Sequence, residues 1–364
     1  MLINIAASLV VTGLILLVVG IMIARQYTLR AKLLTAFLFI VLLSLGLLAA
    51  LDSYLMSENL RQSTNKILDA AARQYADRID KFNEFNLESI QAEARLPALV
   101  NYIKLRGAEP YHSQTIREIL FALQSRQGKD IVSYAVLNRD GINMVDTVTE
   151  YIGSDESEEM YFREVVLKQA PYQSPVMFSK TEEPSLYFSS PIEDVGGSFL
   201  GVLRVRYNAK ALNSLLSDSR GRIGRGAFAI LIDDNNLRLM HGRRSDLQYT
   251  LASNISEADL QVLADEGRVP TGSKRLFTEK PDLIEKLEKT RFNNTNLQTN
   301  LFGMGEDAFS MSIARLNTVP WKLVFAQPEA VFIEPVQEQT RATLLFASGI
   351  AFLVVLIVSG TTRI

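Results

Sequence analysis

Three stretches of the chain contain no charged side chain, and they constrain it more than any other feature. Residues 2–24, 33–51 and 342–360 are apolar runs of the length that crosses a bilayer core as a helix. A cleaved signal peptide would open on basic residues and carry a shorter apolar core, and residues 2–24 show neither. Between the first two runs, residues 25–32 carry Arg25, Arg30 and Lys32 and no acid. A basic loop between spans belongs on the cytoplasmic side. That rule puts the N-terminus outside the plasma membrane, the 25–32 hairpin inside, and residues 52–340 outside as one large extracytoplasmic segment. The run 342–360 then returns the chain to the cytoplasm, where 361–364 begins a linker. On this reading the chain is the front portion of a longer protein in a multi-pass arrangement.

Whole-chain averages hide this division: 48% of the 364 residues are hydrophobic and the net charge is -2. So small a charge offers no basic surface to neutralise phosphates, and nucleic acid is not an expected partner. The absence of Cys excludes a disulfide framework, a thiolate nucleophile and a Cys-rich zinc site. His112 and His241 are far apart, so no metal site is expected of them. No Walker loop, dinucleotide fingerprint or Ser/His/Asp arrangement is present. Neither a cofactor nor an enzymatic activity is therefore expected of this chain, while a cytoplasmic kinase, cyclase or phosphatase effector stays open.

Within the external segment, Leu60, Ile67, Ala70, Ala71, Tyr75, Ile79 and Phe82 recur at three- and four-residue steps. This spacing predicts one long amphipathic helix, a stalk over 52–112. Glu58, Arg61, Lys66, Asp69, Arg73, Asp77, Arg78, Asp80 and Lys81 read as its solvated face. Ser113 is placed to cap a helix over 113–127. Residues 131–141 and 142–148 predict a hairpin around an Arg-Asp-Gly turn. An acidic start predicts a helix over 154–169. Asp155, Glu156, Glu158 and Glu159 lack the alternating spacing of a calcium loop and read as that helix's solvated first turn. Strands over 176–194 and 196–208 and a short helix over 209–218 complete a module. The order then restarts with a strand, an Asp233–Asn236 turn and a strand over 221–242. Helices over 256–267 and 280–291 follow, then a hairpin of 307–316 and 321–328. This is an architectural repeat, membrane-distal over 113–218 and membrane-proximal over 219–340, without sequence identity between its copies.

Residues 160–176, 183–208 and 319–332 carry a resemblance to the double Cache (dCache) sensor domains of bacterial transmembrane receptors, over about 52–340. The resemblance implies an α+β fold: a long stalk helix and two tandem PAS-like modules with antiparallel sheets, flanked by transmembrane helices. It implies signal transduction through a HAMP linker starting near Thr361, with a small-molecule ligand, the lipid bilayer and a second copy of the chain as partners. It also implies a distal pocket lined by Tyr134, Tyr161, Phe162, Tyr172, Met177, Ser179, Tyr187, Ser189 and Arg206. Aromatic rings with polar tips suit a small, partly polar ligand. Where amino-acid-binding members carry an Arg before an aromatic pair and an Asp on the last strand, this chain carries Glu159 and Arg206. Both charges are inverted, so an α-amino acid would meet repulsion at each end. Either Glu159 and Arg206 pair and partly close the pocket, or Arg206, with or without Arg204, takes an anion such as a carboxylate. A membrane-anchored external binding or scaffold protein without a transmitter is the alternative reading.

Overall fold

The computed structural model describes residues 29–105, 110–178, 183–217, 223–252, 255–270, 297–300 and 308–361. The expected first span (2–24), the helix over 280–291 and Ser179 lie outside them. The chain forms two compact units, Met1–Lys66 with Pro328–Ile364, and Ile67–Gln327. Residues 113–218 and the expected proximal module up to Gln327 fall in the second unit, and residues 328–340 fall in the first.

Helix α1 (Leu29–Ala94) is continuous. From Ser53 to Leu96 the sequence has neither Gly nor Pro to interrupt it. It ends because Pro97 follows. Leu96 is extended, with ψ 125°, as a residue before proline prefers, and Pro97 opens α2 (Pro97–Lys104), where its missing N–H costs nothing. The expected stalk over 52–112 is therefore not one helix. Helix α3 (Pro110–Gln127) likewise begins at a proline, so Ser113 lies inside it rather than at its cap; Ser113 Oγ pairs with the Tyr102 hydroxyl at 3.0 Å.

Strands β1 (Ile131–Asn138) and β2 (Asn143–Asp146) form the predicted hairpin. Helix α4 (Met160–Lys168) starts later than its acidic approach suggests. Residues 154–159 are extended and turned instead, pinned by an Ile142–Asp155 bridge and by Glu156 N donating to Gly141 O at 2.9 Å. Gly141 is required there: at φ +83°, any Cβ would sit 2.5 Å from Ser157 Cα. Strands β3 (Tyr172–Gln173), β4 (Met177–Phe178), β5 (Pro184–Glu193) and β6 (Phe199–Asn208) complete an antiparallel sheet ordered β2-β1-β6-β5-β3, with β4 also on β5. Helix α5 (Ala211–Leu216) leaves it.

The second sheet is ordered β8-β7-β11-β10-β9. It is built from β7 (Phe228–Ile232), β8 (Arg238–His241), β9 (Leu297–Asn300), β10 (Ala308–Arg315) and β11 (Lys322–Pro328), with α6 (Glu257–Asp265) between β8 and β9. Strand β9 has no counterpart in the sequence reading.

One core joins α1 to both sheets. It includes Leu68, Ala72 and Ile79 of α1, Phe188 and Leu203 of the first sheet, and Leu231 and Phe325 of the second. Phe82 meets Phe188 and Tyr207 edge-on, and Tyr75 meets Phe325. Ala71, Tyr75 and Ile79 of the predicted stripe are buried, but Ile67 and Ala70 are exposed, and Leu68 and Ala72 are buried instead. Asp80 also lies on the buried side, not the solvated one. Its carboxylate accepts from Asn317 N, Thr318 N and Thr318 Oγ1 at 2.6–3.0 Å, capping the loop between β10 and β11.

Helix α7 (Glu329–Thr361) contains the run 342–360, as α1 contains 33–51. The apolar side chains described in those runs are largely exposed, among them Phe37, Leu47, Leu345 and Phe346. Over the described residues, no helix is long and apolar enough to cross a membrane.

Candidate functional site

Alternation along the strands of the first sheet sorts its side chains by face. Tyr134, Val136, Phe188, Leu203, Val205 and Tyr207 point into the core shared with α1. Tyr134 was expected to line the ligand pocket, but its period-2 position puts it on this helix-facing side, where its hydroxyl donates to Glu93 Oε2 at 3.1 Å. Burial beside Glu93 pushes that hydroxyl's pKa up. The opposite face carries Ser133, Ser185, Tyr187, Ser189, Arg204 and Arg206.

The centre of that face is an ion cluster. Arg204 is 3% exposed and lies 2.9 Å from Glu156 Oε1 and 3.1 Å from Asp146 Oδ2. Its Nη1 donates to Ser133 Oγ at 2.7 Å. Glu156 also accepts from Asn143 Nδ2 and the Tyr161 hydroxyl, each at 2.8 Å, and from Ser154 Oγ at 3.2 Å. Burial alone would raise the Glu156 pKa; Arg204 and the surrounding donors hold it below the ordinary value. Burial likewise opposes charge on Arg204, and the Glu156 and Asp146 carboxylates outweigh it, so its pKa is raised. Both groups are therefore ionised throughout the neutral range. The guanidinium also lies against Tyr161 and Tyr187, which stack at 4.2 Å.

Around this cluster the structure gathers much of the expected lining. Tyr161, Phe162, Met177 and Tyr187 pack together with Val202, and Tyr172 sits at their margin beneath Lys168. Burial raises the Tyr161 and Tyr187 hydroxyl pKa values and pushes Tyr172 up to about 12. Ser189 is buried, and its hydroxyl donates to Tyr161 O at 2.8 Å, anchoring the start of α4. Arg206 is buried too; its Nε donates to Ser185 Oγ at 2.8 Å and its Nη1 to the Tyr151 hydroxyl at 3.2 Å. Glu159 is exposed at the N-cap of α4. It and Arg206 both act electrostatically on the Tyr187 hydroxyl, with opposite signs.

Two expectations change. In one of the two alternatives Arg204 was to join Arg206 on an anion, yet two carboxylates of the chain already occupy its guanidinium. The acidic stretch 155–159 was to be a solvated helix start, yet Glu156 is buried in the ion cluster. Sequence reasoning missed Asp146, Asn143, Ser133, Ser185 and Tyr151. The available signal was that an Arg on a strand between apolar neighbours needs an acid nearby, and nothing in the sequence picks Asp146 and Glu156 over Glu183, Glu193 or Asp194.

A family model for the Cache domain, dCache_1, matches residues 54–336. The chain belongs to the dCache family. This dCache chain shares its fold with the sensor domain of the V. cholerae histidine kinase DctB, at TM-score 0.57 and 13% identity, covering 74% of this chain and 98% of that one. The ligand-binding domain of Mlp24, determined with asparagine, is similar at TM-score 0.51 and 10% identity, covering 76% and 99%. That of the Campylobacter jejuni chemoreceptor Tlp3, with 4-methylisoleucine, is similar at TM-score 0.52 and 13% identity, covering 75% and 94%. No curated protein sequence matches the chain.

Proposed function

We propose that residues 52–340 of this dCache chain are the extracytoplasmic ligand-sensing input of a membrane signalling receptor, acting as a homodimer on a cytoplasmic effector. The observation that carries this reading is the dCache match over 54–336, bracketed by charge-free runs at 33–51 and 342–360. The exposure of apolar side chains on α1 and α7 supports those runs as spans, since lipid is the solvent such surfaces need.

The ligand is a small polar molecule held on the outer face of the first sheet. The Arg204–Glu156–Asp146 cluster forms a fixed floor, and Arg206, Tyr151, Tyr187 and Glu159 form the variable side. Arg206 would read an anionic group such as a carboxylate. A zwitterionic amino acid in the pose described above would meet Arg206 with its ammonium, and desolvated like charges there disfavour it. Ligand binding shifts the helix positions only through its differential affinity for two states of the domain.

The test is a thermal-shift screen of the full chain in detergent against organic acids, amines and amino acids, followed by calorimetry. An organic acid whose affinity falls at least tenfold in Arg206→Ala supports the reading. Unchanged affinity removes Arg206 from the site, and binding of amino acids alone overturns the ligand class.

A further inference from the structure

The connection between β2 and α4 lies over the outer face of the first sheet and places one of its side chains on each strand arginine. Glu156 takes Arg204, and Tyr151 takes Arg206. The two caps are held very differently. Glu156 is buried, its N–H is bonded to Gly141 O at 2.9 Å, and both its carboxylate oxygens accept from side-chain donors. Tyr151 is half-buried, and its chain neighbours Glu150, Ile152 and Gly153 are exposed. It offers Arg206 one hydroxyl oxygen, at 3.2 Å, and a ring whose centroid lies 6.0 Å from the guanidinium carbon.

The backbone of this turn is fixed from behind. Tyr151 O accepts from Ser154 Oγ at 2.6 Å, and Arg117 on α3 donates to Thr147 O at 3.3 Å and to Thr149 Oγ1. The Tyr151 side chain is therefore the part left to swing outward. Arg206 would stay where it is: it is 5% exposed, and its Nε donates to the buried Ser185 Oγ at 2.8 Å.

A buried donor without an acceptor is costly, so a guanidinium awaiting a ligand needs a stand-in. A phenol hydroxyl serves, and it is a weak competitor. A carboxylate makes a shorter, charge-assisted bond to the same group.

We propose that Tyr151 is a displaceable cap on Arg206: it fills the anion position of the distal site until a ligand carboxylate takes its place. This rests on Arg206 as the anion-reading group. The cap sets a threshold, because apparent affinity is reduced by the fraction of chains in which it is off. It also sets selectivity. An amide or alcohol bonds the guanidinium no better than the phenol does and gains nothing by displacing it.

The experiment uses the full chain in detergent, acetate as the probe and acetamide as its neutral counterpart, with affinity read by saturation-transfer NMR. Tyr151→Phe keeps the ring and removes the hydroxyl, so it should bind acetate about three- to tenfold more tightly than wild type. Tyr151→Ala should gain at least as much. Arg206→Ala should abolish binding in the wild-type and Tyr151→Phe backgrounds alike. Ile152→Ala loosens the same turn at a position that is 41% exposed and should leave the affinity unchanged. Acetate affinity that falls or stays level in Tyr151→Phe, while still depending on Arg206, would overturn the cap and leave the Arg206 reading standing. An equal gain in Ile152→Ala would also overturn it, since any loosening would then suffice. Acetate binding that does not depend on Arg206, or no binding by any of these chains, would remove the Arg206 reading and the cap with it.

Discussion

Replacing Glu156 by Gln removes one of two carboxylates from a guanidinium that is 3% exposed. The two Glu156 oxygens accept from Arg204, Asn143, Tyr161 and Ser154. Every one of those partners is a donor. A glutamine keeps one acceptor and turns the other position into an N–H facing donors. Breaking a buried pair from one side costs about 3–5 kcal/mol. Asp146 stays 3.1 Å from Arg204, so the charge is not stranded and the lower figure applies. For a unit of this size each kcal/mol moves the midpoint by about 2–4 °C, so Glu156→Gln should unfold roughly 6–12 °C below wild type. The assay is thermal unfolding followed by circular dichroism, with Glu156→Gln, Arg204→Met and the double variant measured side by side. The double variant should lose less than the two singles together, because it removes the stranded donors along with the acceptor. Replacing Lys81, whose pair with Asp77 is exposed, should leave the midpoint in place. Because the folded pKa of Glu156 is lowered from 4.5, its contribution is full above that value and fades as the pH falls through the folded pKa. A Glu156→Gln midpoint within 2 °C or so of wild type would refute the reasoning, since an interior charge pair cannot be both dry and inconsequential.

Asp80→Ala should destabilise the chain by about 2–3 kcal/mol, because it leaves the Asn317 and Thr318 amides without their charged acceptor, and Asp80→Asn should recover part of that loss; denaturant titration of the two variants checks it. Two buried groups of the second sheet should oppose one another as the pH changes. Burial pushes Asp233 up to about 6 from 3.8, so the unfolded chain ionises first and stability falls as the pH rises through that interval. Burial pushes His241 down to about 4 from 6.5, so the unfolded chain protonates first and stability falls as the pH drops through that interval. At about 1.36 kcal/mol per pH unit each effect is worth roughly 3 kcal/mol, and over the shared window they nearly cancel. Asp233→Asn should therefore lose stability more steeply than wild type on acidification below pH 6.5, and His241→Gln should be most stable at the acid end; parallel profiles for all three proteins would contradict both assignments.

Much of the fold was legible because periodicity and turn chemistry act locally. The α1 stripe, the Arg139–Gly141 turn and the strand pairs β5–β6 and β10–β11 all follow from residues close together in sequence. The stalk's break was legible in principle, since Pro97 dictates the conformation of Leu96. What the sequence did not reveal were contacts between distant segments. Glu156 sits among exposed acids and differs from them only because Gly141 lets its loop cross β2 and meet Arg204, 48 positions on. Asp80 sits among surface charges and differs only because the 317–318 loop folds over it. The family resemblance put Tyr134 on the ligand side, although the face of β1 it occupies follows from pairing with β6.

The most direct test of the central claim concerns which side of the membrane the sensor occupies. The chain has no Cys, so a single introduced thiol is an unambiguous reporter. Val195 is fully exposed in the turn between β5 and β6, which makes Val195→Cys a mild change. A membrane-impermeant maleimide should label that thiol in intact cells as fully as in opened ones. Labelling that appears only after the membrane is breached would place the sheets inside and end the account.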